Sequence, residues 1–126
     1  MKRYVLGGLM VLWLAACGSP GVAATEVSLG EFWVGPEADR LEAGTVVLTA
    51  ENSGEIAHTL VISDSSGTVL AATDLIDSEA EVDLTVNLEP GTYGFTCRIV
   101  VSLSDGTVVD HYQKGMSALV EVVSPA

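Results

Sequence analysis

Between residues 81 and 89 apolar and polar residues alternate without a break. Val82, Leu84, Val86 and Leu88 fall on one face, and Glu81, Asp83, Thr85, Asn87 and Glu89 on the other. A period of two is the pattern of a half-buried β-strand, with a solvated charged face and an apolar face that needs a second layer to cover it. The same period recurs at 45–51, where Val46, Leu48 and Ala50 oppose Thr45, Val47, Thr49 and Glu51. It also places His58, Leu60 and Ile62 together, and Tyr93, Phe95 and Cys97 together. Turn signals at Asn52-Ser53-Gly54, Ser65-Ser66-Gly67-Thr68 and Pro90-Gly91 separate these runs. A first strand is expected over 26–34, with an irregularity and a stop at Gly35-Pro36, and a polar connection with one helical turn over 36–44. A short strand at 69–72, an acidic irregular stretch at 74–80 and a last strand at 117–123 complete the chain. About seven strands without a helical period predict an all-β antiparallel sandwich or barrel.

One core is all that 126 residues can bury, so a single domain is expected over 26–126. Part of the 48% hydrophobic content lies in an export leader, not in that core. Met1, Lys2 and Arg3 are followed by an apolar run from Tyr4 to Leu12 and then by Leu14-Ala15-Ala16-Cys17. The run is too short to span a membrane and reads as a signal peptide over 1–16. Leu14 to Cys17 resembles a bacterial lipobox, which implies cleavage before Cys17, lipidation of that cysteine and a membrane anchor. The small residues that follow it predict a flexible tether over 17–25. Ordinary secretion with cleavage after Ala24, behind Val22-Ala23-Ala24, is the alternative. Either route places the domain outside the cytoplasm, facing the periplasm or the extracellular side.

Loss of the leader leaves Arg40, Arg98 and Lys114 against seventeen acidic residues, three minus seventeen, a formal balance of −14. Such a field repels nucleic acid and anionic surfaces and steers basic partners toward the protein; simple solubility would need no more. With Cys17 lipidated, it also leaves one free cysteine, Cys97, so the domain has no internal disulfide. A lone thiol in an exported protein is explained by metal ligation or by inert burial.

Met116 is the sole methionine after processing, and His58 and His111 are the sole histidines. Each alone has an ordinary explanation as core. Together, a thiolate, two imidazoles and a thioether make up the donor set of a trigonal copper site with a weak axial sulfur.

The motifs Asn52-x-Gly54-x-x-x-His58, Leu88-x-Pro90-Gly91-x-Tyr93-x-Phe95-x-Cys97 and His111-x-x-x-Gly115-Met116 resemble those of the cupredoxins, the blue copper proteins related to plastocyanin and azurin. The resemblance spans about 27–123. It implies a Greek-key β-sandwich binding one Cu(I)/Cu(II) ion at one end, with His58, Cys97 and His111 as equatorial ligands and Met116 as axial ligand. Thr59, beside His58, is then placed to hydrogen-bond the thiolate through its N–H or hydroxyl.

This chain departs from the pattern between Cys97 and His111, where thirteen residues replace the few usual in plastocyanin-like and azurin-like members. Residues 99–103 and 108–110 are apolar runs around Ser104-Asp105-Gly106-Thr107, a strong hairpin signal. A hairpin returns the chain to its start, so both ligands can still reach one metal. The resemblance implies single-electron transfer between exported partners, a basic cytochrome c-like protein or a copper oxidase, by a monomer. Copper storage or delivery is the alternative, and a structural lipoprotein without metal a third reading. No Ser-His-Asp spacing or phosphate-binding glycine loop points to an enzyme.

Overall fold

The computed structural model describes residues 23–125. The expected leader, Cys17 and most of the expected tether lie outside the described residues. The last three residues of that tether are ordered in the first strand, β1 (Ala23–Gly30), which pairs with β4 (Gly44–Asn52) from Ala23 onward. Thr25 is already buried.

Two sheets face each other. The first has the order β2–β1–β4–β7, adding β2 (Trp33–Pro36) and β7 (Glu81–Leu88). The second runs β3–β11–β8–β5–β6, with β3 (Arg40–Glu42), β5 (Val61–Ser63), β6 (Val69–Ala72), β8 (Gly91–Thr96) and β11 (Ser117–Val123). A separate two-stranded ribbon, β9 (Val100–Ser102) with β10 (Val108–Asp110), is the hairpin expected after Cys97. Its turn falls at Ser104 to Thr107. The chain crosses between the sheets after β2, β3, β4, β6 and β7, in the manner of a Greek key.

The alternating residues become the inner faces. Val27, Leu29, Val46, Leu48, Ala50, Val86 and Leu88 from one sheet meet Leu41, Ile62, Tyr93, Phe95, Val120 and Val122 from the other. Burying a side chain of this size contributes roughly 1.5–3 kcal/mol, so these strands are held by the layer opposite more than by their own propensity. Val82 follows the pattern yet is 37% exposed, at the outer end of an edge strand.

Three expectations are corrected. The single strand at 26–34 is a hairpin, turning at Glu31-Phe32 so that Gly30 pairs with Trp33. The connection at 36–44 holds β3 and no helical turn, because Leu41 is drawn into the core beside β11. With these two short strands the sandwich has nine strands in place of about seven, and the ribbon is the expected hairpin insertion. Pairing is also not wholly antiparallel, since β1 with β4 and β3 with β11 are parallel. Each parallel partner is reached through an excursion into the opposite sheet, which supplies the long crossover such a pair requires.

Candidate metal centre

Four chain segments meet at one end of the sandwich. His58 lies between β4 and β5, Cys97 follows β8, His111 follows β10 and Met116 precedes β11. All four side chains are buried, with His58, Cys97 and Met116 fully so.

Backbone hydrogen bonds bring three of them together. The His111 N–H donates to Ile99 O at 2.9 Å and closes the neck of the hairpin, so thirteen intervening residues cost the site no reach. The Met116 N–H donates to His111 O at 3.1 Å, and the Cys97 N–H donates to Met116 O at 3.2 Å. Gly115, at φ +119°, makes the sharp bend before Met116 in a conformation that L side chains rarely adopt. A Cβ there would also press on Phe32 O at 3.2 Å.

His58 arrives on a different kind of support. Its segment is not the full strand expected over 58–62, because β5 begins only at Val61. Instead His58 N–H donates to Ile76 O and Ile76 N–H to His58 O, at 3.1 and 2.8 Å, and Leu60 N–H donates to the Thr73 hydroxyl at 3.0 Å. Asn52 holds the loop before it. Its buried amide donates to Ile56 O and Ile76 O, both at 2.8 Å, and its Oδ1 accepts the Gly54 N–H at 2.9 Å.

The donor atoms of His58, Cys97 and His111 all lie within 4.8 Å of one another. Cys97 Sγ is 3.6 Å from His111 Nδ1, and the two imidazole rings are 5.2 Å apart between centroids. First-row metal bonds of about 2.0–2.3 Å to nitrogen and sulfur would space three trigonal donors by roughly 3.5–4 Å, so the cluster fits one ion. His58 Nδ1 is buried with no hydrogen-bond partner among the described residues, as suits a lone pair kept for a metal. The Thr59 N–H points at Cys97 Sγ from 3.5 Å and the Thr59 hydroxyl lies at 3.7 Å, both able to compensate charge on a bound thiolate.

Two features of the site escape the sequence patterns. Glu31, in the β1–β2 turn, accepts a hydrogen bond from His58 Nε2 at 3.0 Å. Its carboxyl is held below the usual range, chiefly by the Ile56 N–H and further by His58 and the Glu55 N–H. Nothing marks it among seventeen acidic residues while 26–34 is read as one strand. Phe32, next along, packs edge-on against His111 at 5.1 Å. His111 itself is shifted below its ordinary pKa by burial and then by its neighbour His58.

Above His111 opens an apolar mouth of about 500 Å³. Phe32, Ile56, Leu75, Val101 and Leu103 are among its walls, so the hairpin forms one side. Leu75 is 63% and Leu103 47% exposed. The second imidazole therefore sits at the foot of an apolar recess instead of at the open surface. Its Nε2 has no partner among the described residues.

No family model and no curated protein sequence matches this chain. Solved structures do. A dithionite-reduced auracyanin from the photosynthetic bacterium Roseiflexus castenholzii aligns over 82% of this chain and 99% of its own, at 20% identity and a TM-score of 0.59. Auracyanin A, a blue copper protein of Chloroflexus aurantiacus, covers 82% of this chain and 100% of its own, at 15% identity and a TM-score of 0.60. Reduced rusticyanin covers 84% and 82%, at 19% identity and a TM-score of 0.60. At these identities the likeness establishes the fold, a cupredoxin-like sandwich.

Asn52 generates a prediction independent of any metal. Asn52→Ala strands Ile56 O and the Gly54 N–H and removes one of the two donors to Ile76 O, which keeps the His58 N–H, and should lower apoprotein stability by about 1–3 kcal/mol in urea unfolding. A change below about 0.5 kcal/mol would show that the His58 loop is held by other means.

Proposed function

We propose that this protein is a membrane-tethered type 1 copper protein carrying single electrons between exported redox partners. The observation that carries the reading is the buried convergence of two imidazoles and one thiol, with a buried methionine bonded through its backbone to both Cys97 and His111. Thiolate and thioether suit Cu(I), imidazole suits Cu(II), and a buried scaffold of strands and short loops changes little between them. His58, Cys97 and His111 would hold copper equatorially and Met116 axially. Copper would supply a one-electron couple there. The chain's own contribution is to hold the donors, exclude water and present one edge of the site to a partner. Carriage of electrons is favoured over copper storage or delivery because four buried donors leave no open position for metal exchange. The same closure leaves no coordination position for a substrate, so an electron carrier is favoured over an enzyme.

The apolar mouth over His111 is the docking surface this function needs. Exposed Glu55, Asp74, Asp77 and Asp105 stand next to or near its walls in sequence. Two of the three basic residues are engaged elsewhere, Arg40 with Glu121 at 3.2 Å and Arg98 over the Tyr112 ring at 3.6 Å. A basic cytochrome c-like protein or copper oxidase with an apolar tip complements this arrangement. Charge speeds encounter, while the small apolar contact permits fast release.

Export as a lipoprotein is part of the same reading. Cleavage after Ala24 would remove the first two residues of β1, where Ala23 and Ala24 already pair with Val46 and Val47. Cleavage before Cys17 leaves that pairing whole and leaves six residues, 17–22, between lipid and strand.

The visible spectrum of the Cu(II)-loaded domain tests the copper site. An intense thiolate-to-copper band is expected, abolished by Cys97→Ser and retained with a shifted potential in Met116→Leu. A colourless wild type that binds no copper would overturn the reading. For docking, the rate of electron exchange with a basic cytochrome c should fall at least ~10-fold between about 0.01 and 0.5 M salt. Leu103→Asp should slow it further while leaving the spectrum unchanged, and insensitivity to both would place the contact elsewhere. For the anchor, Cys17→Ala should move the protein from the membrane fraction to the soluble fraction. Unchanged fractionation would exclude the lipid.

A further inference from the structure

We infer that Glu31 is a positioning residue that sets the reduction potential of the site through His58. The inference rests on the copper reading above and adds to it a group outside the ligand set.

A single carboxylate oxygen of Glu31 gathers three donors, His58 Nε2 at 3.0 Å and the N–H groups of Glu55 and Ile56, each at 2.9 Å. The residue in the β1–β2 turn thereby holds both the ligand and the loop that delivers it. Accepting from Nε2 places the ring proton there and leaves Nδ1, the buried unpartnered nitrogen, as the lone-pair donor. Gly54 belongs to the same arrangement. A Cβ at Gly54 would collide with the Glu31 carboxylate, although its φ lies outside the left-handed region. The loop carries no side chain where the carboxylate lies against it, and the space is taken by the carboxylate and not demanded by the backbone.

Orientation and charge are separable here. A glutamine Oε1 in the same place can still accept from His58 Nε2, so the ring's direction does not require a negative charge. The charge acts electronically. Through the hydrogen bond it makes Nδ1 a stronger donor, and it lies beside a site whose oxidised form carries one more positive charge than its reduced form. Both effects favour Cu(II), so Glu31 lowers the potential. Its side chain is 31% exposed, which screens the effect without removing it, while His58 is fully buried.

Glu31→Gln and Gly54→Ala test this in the full domain by redox titration, competition for Cu(II) and Cu(I), and nitrogen NMR of the apoprotein. Glu31→Gln should keep the charge-transfer band and raise the potential. It should weaken Cu(II) binding by about 10–100-fold and Cu(I) binding less. Gly54→Ala, which displaces the carboxylate, should move the potential the same way and weaken both oxidation states. An unchanged or lowered potential in Glu31→Gln would overturn the inference while leaving the copper reading intact. The apo wild type should carry the His58 proton on Nε2, and a proton on Nδ1 would overturn the positioning role. Failure of the wild type to bind copper would overturn the copper reading and the potential-setting role with it. The His58 tautomer would then decide the positioning role alone.

Discussion

The bond from His111 N–H to Ile99 O is the contact on which the arrangement of this molecule turns. It closes a hairpin at its neck, and a closed neck makes the length of the hairpin irrelevant to the site. With the paired bonds from Met116 to His111 and from Cys97 to Met116, it ties three of the four candidate ligands into one short backbone circuit. The circuit is anchored by β8 and β11, which pair from Ser117 with Thr96 to Val122 with Gly91. Ligand placement is thus a consequence of strand register. A slip of one residue would turn Cys97 away from the core together with Phe95 and Tyr93, and apolar burial forbids that.

Much of this was legible in the alternation of the chain. Strands β4, β7, β8 and β11 and the β9–β10 ribbon lie where period two and turn residues place them, because their faces contrast in polarity. The short strands β2 and β3 were hidden for the opposite reason. Each is of four residues or fewer, and Leu41 alone in β3 is a core residue. The parallel pairings were hidden as well, since alternation reports burial and not the direction of a neighbour. Among the site residues, His58, Cys97, His111 and Met116 stood out by scarcity. Glu31 did not, because its identity as a partner of His58 arises from a turn that brings residues 27 positions apart into contact.

The hairpin redistributes roles at the surface. It gives the second imidazole an apolar wall on one side while Ile56 and Leu75 supply the other. These residues are costly to leave in water, and a wall of Val101 and Leu103 serves folding no better exposed than absent. On the electron-transfer reading proposed above, their placement over one candidate ligand, within a strongly acidic domain, would combine the two components of a transient redox interface, long-range steering and a small dry contact.

The interior shows the same logic with the opposite sign. His58 Nδ1, His111 Nε2 and Thr96 Oγ1 are buried without partners among the described residues. Each such group opposes folding by roughly 1–3 kcal/mol, against a total stability of about 5–15 kcal/mol for a domain. A flexible site would relieve that cost by turning its imidazoles toward solvent. Here Glu31 prevents it for His58, and the hairpin neck and Phe32 prevent it for His111. The domain therefore keeps its donors converged at the expense of its own stability, and metal ligation at His58 Nδ1 is the interaction that would return that atom's share, whereas His111 Nε2, on the far side of the ring from the Nδ1 that faces Cys97, and Thr96 Oγ1 would stay unpaired. Convergence maintained against relaxation is also what one-electron exchange requires, because donors that cannot move with oxidation state add little to the barrier.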